Sequence, residues 1–240
     1  MNHGAGGRAM VDLIDGVFRA AFDNPLLNSG NDQALFTVDA GSMVMTTDSF
    51  VISPLFFPGG NIGSLAVHGT VNDLAMGGAR PLYLSAGFIL EEGFPLRDLV
   101  AITASMAEAA VAAGVQVVTG DTKVVERGKG DGVFINTAGV GCVLPGVTVS
   151  GERARPGDVV LVSGTLGDHG VAIMSQRQGL QFETTLASDS ASLNGMVERM
   201  AAADAAGLRV LRDPTRGGVA ATLNEIASQS SVGIRLQEDA

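Results

Sequence analysis

Apolar positions along residues 1–143 recur alternately at helix spacing and at strand spacing. Helical spacing of three to four residues is found in three segments, Met10–Phe18, Asn61–Met76 and Leu96–Ala113. Short β-rich apolar runs predict strands at residues 31–40, 42–53, 81–90, 115–118 and 132–143. This alternation of strands and helices predicts an α/β or α+β domain.

A polar segment, Ser150–Asp158, separates this pattern from a second one. It contains Pro156-Gly157 and charges of both signs, as domain boundaries often do. The pattern after this segment predicts one strand at 159–163, a second that ends near residue 210 and a third that begins at residue 231. It also predicts helices at 171–178, 194–206 and 219–228. We therefore predict two domains, residues 1–152 and 153–240, of which the second has few strands to cover its helices.

The segment Val115–Glu126 joins a strand to a cluster of reactive side chains. Its predicted strand breaks at Thr119-Gly120 and is followed by Asp121, Thr122 and Lys123. An aspartate can hold Mg²⁺, a lysine can meet a phosphate or move a proton, and a glycine lets a ligand approach the backbone. An ordinary polar turn after a buried strand is the alternative interpretation.

Composition excludes several classes of function. The net charge of −10 disfavours nucleic acid as a partner, because its phosphates must be neutralised by clustered Lys and Arg. A single cysteine, Cys142, excludes an internal disulfide and a multi-thiolate zinc site. Without a membrane-spanning apolar run or a secretory pattern at the N-terminus, the sequence predicts a soluble cytoplasmic protein that does not bind membranes.

Five aspartates lie where an apolar segment meets a glycine or polar turn. They are Asp32, Asp48, Asp73, Asp121 and Asp213. Mg²⁺ prefers carboxylate and phosphate oxygens, so aspartates that converge on one cleft would suit a magnesium–nucleotide site. Turns favour aspartate whatever the function, so spacing alone leaves this open.

Four segments resemble the HypE family of NiFe-hydrogenase maturation proteins. These are TTDSFVISPLFFPGGNIGSLAVHGTVNDLAMGGARPLYLSAGFILEEGFPL, VVTGDTKVVERGKGDGVFINTAGVG, VLVSGTLGDHGVAIMSQRQGL and LRDPTRGGVAATLNEIA. Together they extend through essentially the whole chain. The resemblance places the chain among the PurM-like, aminoimidazole ribonucleotide (AIR) synthetase-related ATP-binding proteins. It implies an α/β N-terminal domain that forms a homodimer through its sheet, and a second α/β domain with ATP between the two.

The resemblance also implies a reaction and partners. The carbamoyltransferase HypF places a carbamoyl group on the thiol of a C-terminal cysteine. An ATP-dependent carbamoyl dehydratase then converts that group to a thiocyanate, and the cyanide passes to iron on a HypC–HypD scaffold. Activating the amide oxygen requires Mg²⁺ and precise placement of ATP, and removing the nitrogen protons requires a base.

Family motifs assign roles to particular residues here. Asp32, Asp73 and Asp213 correspond to magnesium-binding aspartates. The nucleotide-site motifs contribute Asp48, Asp121, Thr122, Thr215, Arg216, Gly217 and Gly218. The resemblance makes Lys123 the candidate for the group acting near the modified thiol, and phosphate binding or plain solvent exposure are the alternatives.

The chain departs from the family at its end. Family members continue further and finish in Pro-Arg-Ile-Cys, and residue 240 precedes that segment. We therefore expect a fragment or truncated gene product that binds nucleotide poorly and is inactive alone. A non-catalytic dimerising module for maturation partners and another PurM-like ATP-using enzyme are the alternatives.

Overall fold

The computed structural model describes residues 7–28, 36, 41–178, 186–215 and 217–237. Its helices are α1 (Gly7–Leu13), α2 (Pro25–Asn28), α3 (Ile62–Met76), α4 (Leu96–Ala113), α5 (Asp168–Gln178), α6 (Asn194–Asp204) and α7 (Gly218–Ser230), and a π-helical segment at Ile14–Arg19 extends α1. Its strands are β1 (Met43–Phe50), β2 (Phe56–Phe57), β3 (Gly60–Asn61), β4 (Ala79–Glu91), β5 (Gln116–Val125) and β6 (Val133–Val143).

Four strands form one sheet in the order β1-β6-β4-β5. The two edge strands are therefore β1 and β5. Strand β4 is parallel to β5, because α4 carries the chain back between them, and the other pairs are antiparallel. The mixed α/β class predicted from sequence is confirmed.

Helices α3 and α4 cover one face of this sheet. Their apolar side chains pack against alternate residues of β4, including Leu84 and Phe88, which are buried. Helix α3 begins with a capping box, in which Asn61 Oδ1 accepts from the backbone of Ser64 while Ser64 Oγ accepts from the backbone N–H of Asn61. The opposite face of the sheet carries no helix among the described residues and exposes large side chains such as Met45, which is 74% accessible.

The predicted chain break at Thr119-Gly120 is wrong. Strand β5 continues to Val125, with one extra residue, Val118, bulged between the pairs that β4 makes with Val117 and Thr119. Gly120 allows β5 to pair closely with β4, because a Cβ at this position would overlap with the carbonyl oxygen of Ala86 on β4. Its small size therefore permits close approach of two strands, not of a ligand.

The three helices predicted beyond residue 150 are confirmed, but the strands predicted there are not. No described residue after 150 belongs to a strand. The predicted strand 159–163 instead leaves its apolar side chains accessible, with Val159 81% and Leu161 77% exposed. The predicted strand 31–40 lies outside the described residues except for Phe36. Within the described ranges, no helix has both the length and the apolarity required to cross a bilayer.

Candidate functional site

Asp48 and Asp73 both lie where edge strand β1 packs beside α3. Thr46 and Asp48 are two residues apart on β1 and point to the helical side of the sheet. Thr46 Oγ1 donates a 2.7 Å hydrogen bond to Asp73 Oδ2 on α3. A Cβ placed on Gly69 of α3 would lie 3.5 Å from Asp48 Oδ2, so this glycine leaves room for the carboxylate.

Asp213 joins this pair from the second half of the chain. Its carboxyl group is half-buried, and burial is the main reason that its pKa is raised. The negative charges of Asp73 and Asp48 raise the pKa of Asp213 further. Asp213, in the loop before α7, therefore lies close enough to Asp73 of α3 and Asp48 of β1 for both charges to act on it, an arrangement that a cation would stabilise.

The loop after Asp213 leads into the N-terminus of α7. Gly217 and Gly218 both adopt positive φ, 79° and 61°, which glycine reaches without steric strain. Thr215 is exposed, and its backbone carbonyl accepts from the N–H of Gly218. The loop thus places two glycines, a hydroxyl and a helix N-terminus directly after Asp213, as an anion site requires.

Asp121 and Lys123 occupy a different place. They lie on the open face of the sheet, in register with Gly87 and Ile89 of β4. Lys123 Nζ pairs with Asp121 Oδ2 at 3.0 Å, and both side chains are about two-thirds exposed. The hydrogen bond from Lys123 is the main cause that lowers the pKa of Asp121.

The structure therefore divides the predicted site residues into two groups. Asp48, Asp73 and Asp213 gather on the helical side near edge strand β1, whereas Asp121 and Lys123 lie on the open side of the other edge strand. Three strand spacings, roughly 14 Å, separate those edges. Thr122 faces the helical side, in register with Phe88. Asp32 and Arg216 lie outside the described residues.

The donor set on the helical side suits Mg²⁺ together with phosphates. Mg²⁺ is commonly held by one or two carboxylates, with phosphates and water completing its octahedron. In the described part of the chain, no group of three or more His, Cys, Asp or Glu side chains is arranged to hold a metal ion alone. Asp73 and Asp213 would thus hold the ion jointly with a nucleotide rather than in an all-protein cage.

Sequence reasoning missed a segment of the second half that packs against the first half. Residues 187–193, which we call the strap, run along α3 and the β2–β3 hairpin. His68 Nδ1 is hydrogen-bonded to Ser190 Oγ at 2.9 Å, and burial lowers the pKa of His68. His169 Nδ1 makes a similar contact to Ser188 Oγ at 2.8 Å. Nothing in the local sequence signals these pairings, because the partners are 122 and 19 residues apart.

Comparisons with known proteins agree with this architecture. The family models for the AIR synthase related protein, N-terminal domain and C-terminal domain, match residues 30–143 and 155–240. The carbamoyl dehydratase HypE of Rhizobium leguminosarum bv. viciae is 64% identical over 240 residues, which are 100% of this chain and 69% of that protein.

Solved structures give the same result. A crystal structure of the hydrogenase maturation protein HypE in complex with ATP has a TM-score of 0.92 and 57% identity, over 95% of this chain and 68% of that one. A crystal structure of the HypE–HypF complex has a TM-score of 0.78 and 56% identity, over 91% of this chain and 70% of that one. The resemblance and the fold predicted from sequence are thereby confirmed. The chain belongs to the HypE family of carbamoyl dehydratases, within the AIR synthase related proteins.

Proposed function

We propose that the chain binds ATP and Mg²⁺ on the helical side of its sheet and uses them to dehydrate a carbamoylated cysteine to a thiocyanate for hydrogenase maturation. The observation that carries this proposal is the approach of Asp213 to Asp73 and Asp48 from the other half of the chain. Clustered carboxylates beside a glycine loop and a helix N-terminus fit a magnesium triphosphate. The related HypE that was crystallised with ATP supports the choice of nucleotide.

Each residue of this group has a distinct task in the proposal. Asp73 and Asp213 hold Mg²⁺, with Asp32 as a further ligand, and Asp48 contributes to the nucleotide site. Thr215, Arg216 and the backbone of Gly217-Gly218 bind phosphates. Bound Mg²⁺ would neutralise charge on the phosphates during transfer. Thr46 orients the Asp73 carboxylate through its 2.7 Å hydrogen bond, leaving the other oxygen for the ion.

In the proposed reaction, the oxygen of the carbamoyl group leaves as part of inorganic phosphate. The carboxamide oxygen of the S-carbamoyl group attacks the γ-phosphorus, and ADP leaves. The C–O bond then breaks to release inorganic phosphate, while both nitrogen protons are removed and the C≡N bond forms. ATP drives the step because phosphorylation converts a poor leaving group into a good one, and a base is needed for the protons.

The open sheet face supports the proposal of a homodimer. On this one face it exposes Met43 and Met45 of β1 and, towards the other end of the sheet, Ile89 of β4. Large apolar side chains exposed on one face are typical of interaction surfaces. We propose that a second copy covers this face. The HypE that was solved with HypF supports HypF as a partner, and a HypC–HypD complex is the proposed acceptor of the cyanide.

That the chain binds nucleotide poorly and is inactive alone stays a prediction. A peptide that ends in S-carbamoyl-cysteine, supplied in trans with saturating Mg–ATP, therefore tests the reaction. The chain is mixed with this peptide, ATP and Mg²⁺, and released phosphate and the infrared nitrile band of the thiocyanate are recorded. We expect one phosphate per thiocyanate and none without peptide. Phosphate transferred to a stable product instead would indicate a small-molecule kinase. Binding of HypF without any ATP turnover would indicate a non-catalytic dimerising module.

Lys123→Gln separates the two proposed roles of this lysine. If Lys123 moves a proton near the thiol, kcat for thiocyanate formation falls by about 10²- to 10⁴-fold, the usual contribution of a general acid or base. The dissociation constant for Mg–ATP then stays within about twofold. Lys129→Gln removes the same charge from the β5–β6 loop and is the matched control. A weaker affinity for Mg–ATP with unchanged kcat would assign Lys123 to phosphate binding instead.

A further inference from the structure

The strap is tied to the N-terminal half of the chain at several points. Ser188 donates its backbone N–H to Pro58 O at 2.8 Å. Gly59 makes room for this contact, because a Cβ there would lie 2.8 Å from Ser188 O. Directly after the strap, the buried Asn194 donates to Ala113 O at 2.9 Å. The strap therefore follows one path across the hairpin, α3 and the end of α4.

Asn72 makes the most specific of these contacts. Its Nδ2 donates to Ala191 O at 3.0 Å, and its Oδ1 accepts from the backbone N–H of Leu193 at 2.8 Å. One amide side chain thus pairs with a donor and an acceptor two residues apart, as a neighbouring β-strand would. A side chain without an acceptor at this position would leave the half-buried Leu193 N–H without this partner, at a cost in stability.

The position of Asn72 gives this clamp a functional meaning. Its neighbour on α3 is Asp73, the carboxylate that Asp213 approaches from the second half of the chain. Asn72 binds the strap, which belongs to that same half. Two adjacent residues of α3 therefore interact with the second domain, Asn72 through the strap and Asp73 through Asp213. His68, one turn earlier on α3, fastens the strap at Ser190.

We propose that Asn72 is a positioning residue, which fixes the strap on α3 and so sets the spacing between Asp73 and Asp213 across which the magnesium nucleotide binds. This inference rests on the proposed function. Asn72 acts through the backbone of Ala191 and Leu193 and touches no reacting atom. Its loss widens the ensemble of domain positions and weakens the binding of Mg–ATP.

Asn72→Ala tests the proposal with two readouts. Hydrogen exchange at the Leu193 amide is expected to speed up about tenfold, because its acceptor is lost. The dissociation constant and the KM for Mg–ATP are expected to rise about tenfold as well, while kcat in the carbamoyl-peptide assay changes less than threefold. Asn28→Ala, which removes an exposed side-chain hydrogen bond to Asp23, is the matched control and should change neither readout.

A second variant separates the strap from Asn72 itself. Ser190→Ala removes only the hydrogen bond to His68, and we expect the same two effects at a smaller size. If Asn72→Ala speeds up exchange at the Leu193 amide but leaves the affinity and the KM for Mg–ATP unchanged, the proposal is overturned while the nucleotide site remains intact. Unchanged exchange at Leu193 in Asn72→Ala would also overturn the proposal. If the unmodified chain fails to bind Mg–ATP, the proposed function fails, and the positioning role fails with it whatever the Leu193 amide does.

Discussion

Asp73→Asn is expected to weaken the binding of Mg–ATP on the order of 100-fold. The change keeps the shape of the side chain and the acceptor for Thr46 Oγ1, but it removes the negative charge that faces Asp213. Partners outside the inner coordination sphere already change metal affinity about 10- to 100-fold, so loss of a direct ligand should have at least that effect. Calorimetric titration with Mg–ATP measures this change.

The folded state should tolerate this substitution. Asp73 raises the pKa of Asp213, so removing its charge relieves repulsion between two half-buried carboxylates. The melting temperature without ligand should therefore stay equal or rise slightly, which separates lost binding from misfolding. Asp131→Asn makes the same chemical change in the β5–β6 loop and should leave the affinity as it was. Full affinity in Asp73→Asn would remove Asp73 from the site.

Gly63→Ala is expected to give the largest loss of stability. Gly63 is buried where α3 crosses α4, and a Cβ there would overlap with the carbonyl oxygen of Ile102 and lie 2.9 Å from Met106 Cγ. Backbone cannot move aside as a side chain end can, so the two helices must separate. Overpacking of this kind costs about 1–3 kcal/mol, which lowers the melting temperature of a chain of this size by roughly 2–12 °C.

Gly170→Ala is the matched control for that substitution. Gly170 is also helical but exposed, and a Cβ there would meet nothing within 4 Å. Alanine favours helix over glycine, so α5 should become more stable by up to about 1 kcal/mol. Thermal unfolding measures the melting temperatures of both variants and of the unmodified chain. Equal melting temperatures for Gly63→Ala and the unmodified chain would mean that α3 and α4 do not pack as described.

The helices could be predicted because their information is local. Apolar spacing and a glycine stop placed α4 at its exact observed ends, and α3 began one residue after the predicted start because Asn61 acts as its cap. The strands predicted for the second half were not confirmed among the described residues, because strand formation is not a local property. A strand such as 159–163 forms only when a neighbour pairs with it, and an apolar β-rich run does not show whether that neighbour is present.

The proximity of some candidate site residues could also be anticipated, while their roles stay predictions. Motifs identified Asp73 and Asp213, which the fold brings together from residues 140 positions apart. They did not reveal that Asp121 and Lys123 lie on the other side of the sheet, because that depends on strand register rather than on residue type. The contacts of Asn72 with the strap could not be predicted either, since its partners are backbone groups more than a hundred residues away.

Val118, the bulged residue, sets the phase of everything after it in β5. Side chains alternate between faces with a period of two, so deleting this one valine would turn each later side chain to the other face. Asp121 and Lys123 would then point into the layer beneath α4, where a charged pair loses its solvation, and Thr122 would point to the surface. The orientation of the acid–lysine pair is thus set upstream by a buried apolar residue, and an insertion or deletion there would exchange the side chains presented on the two faces.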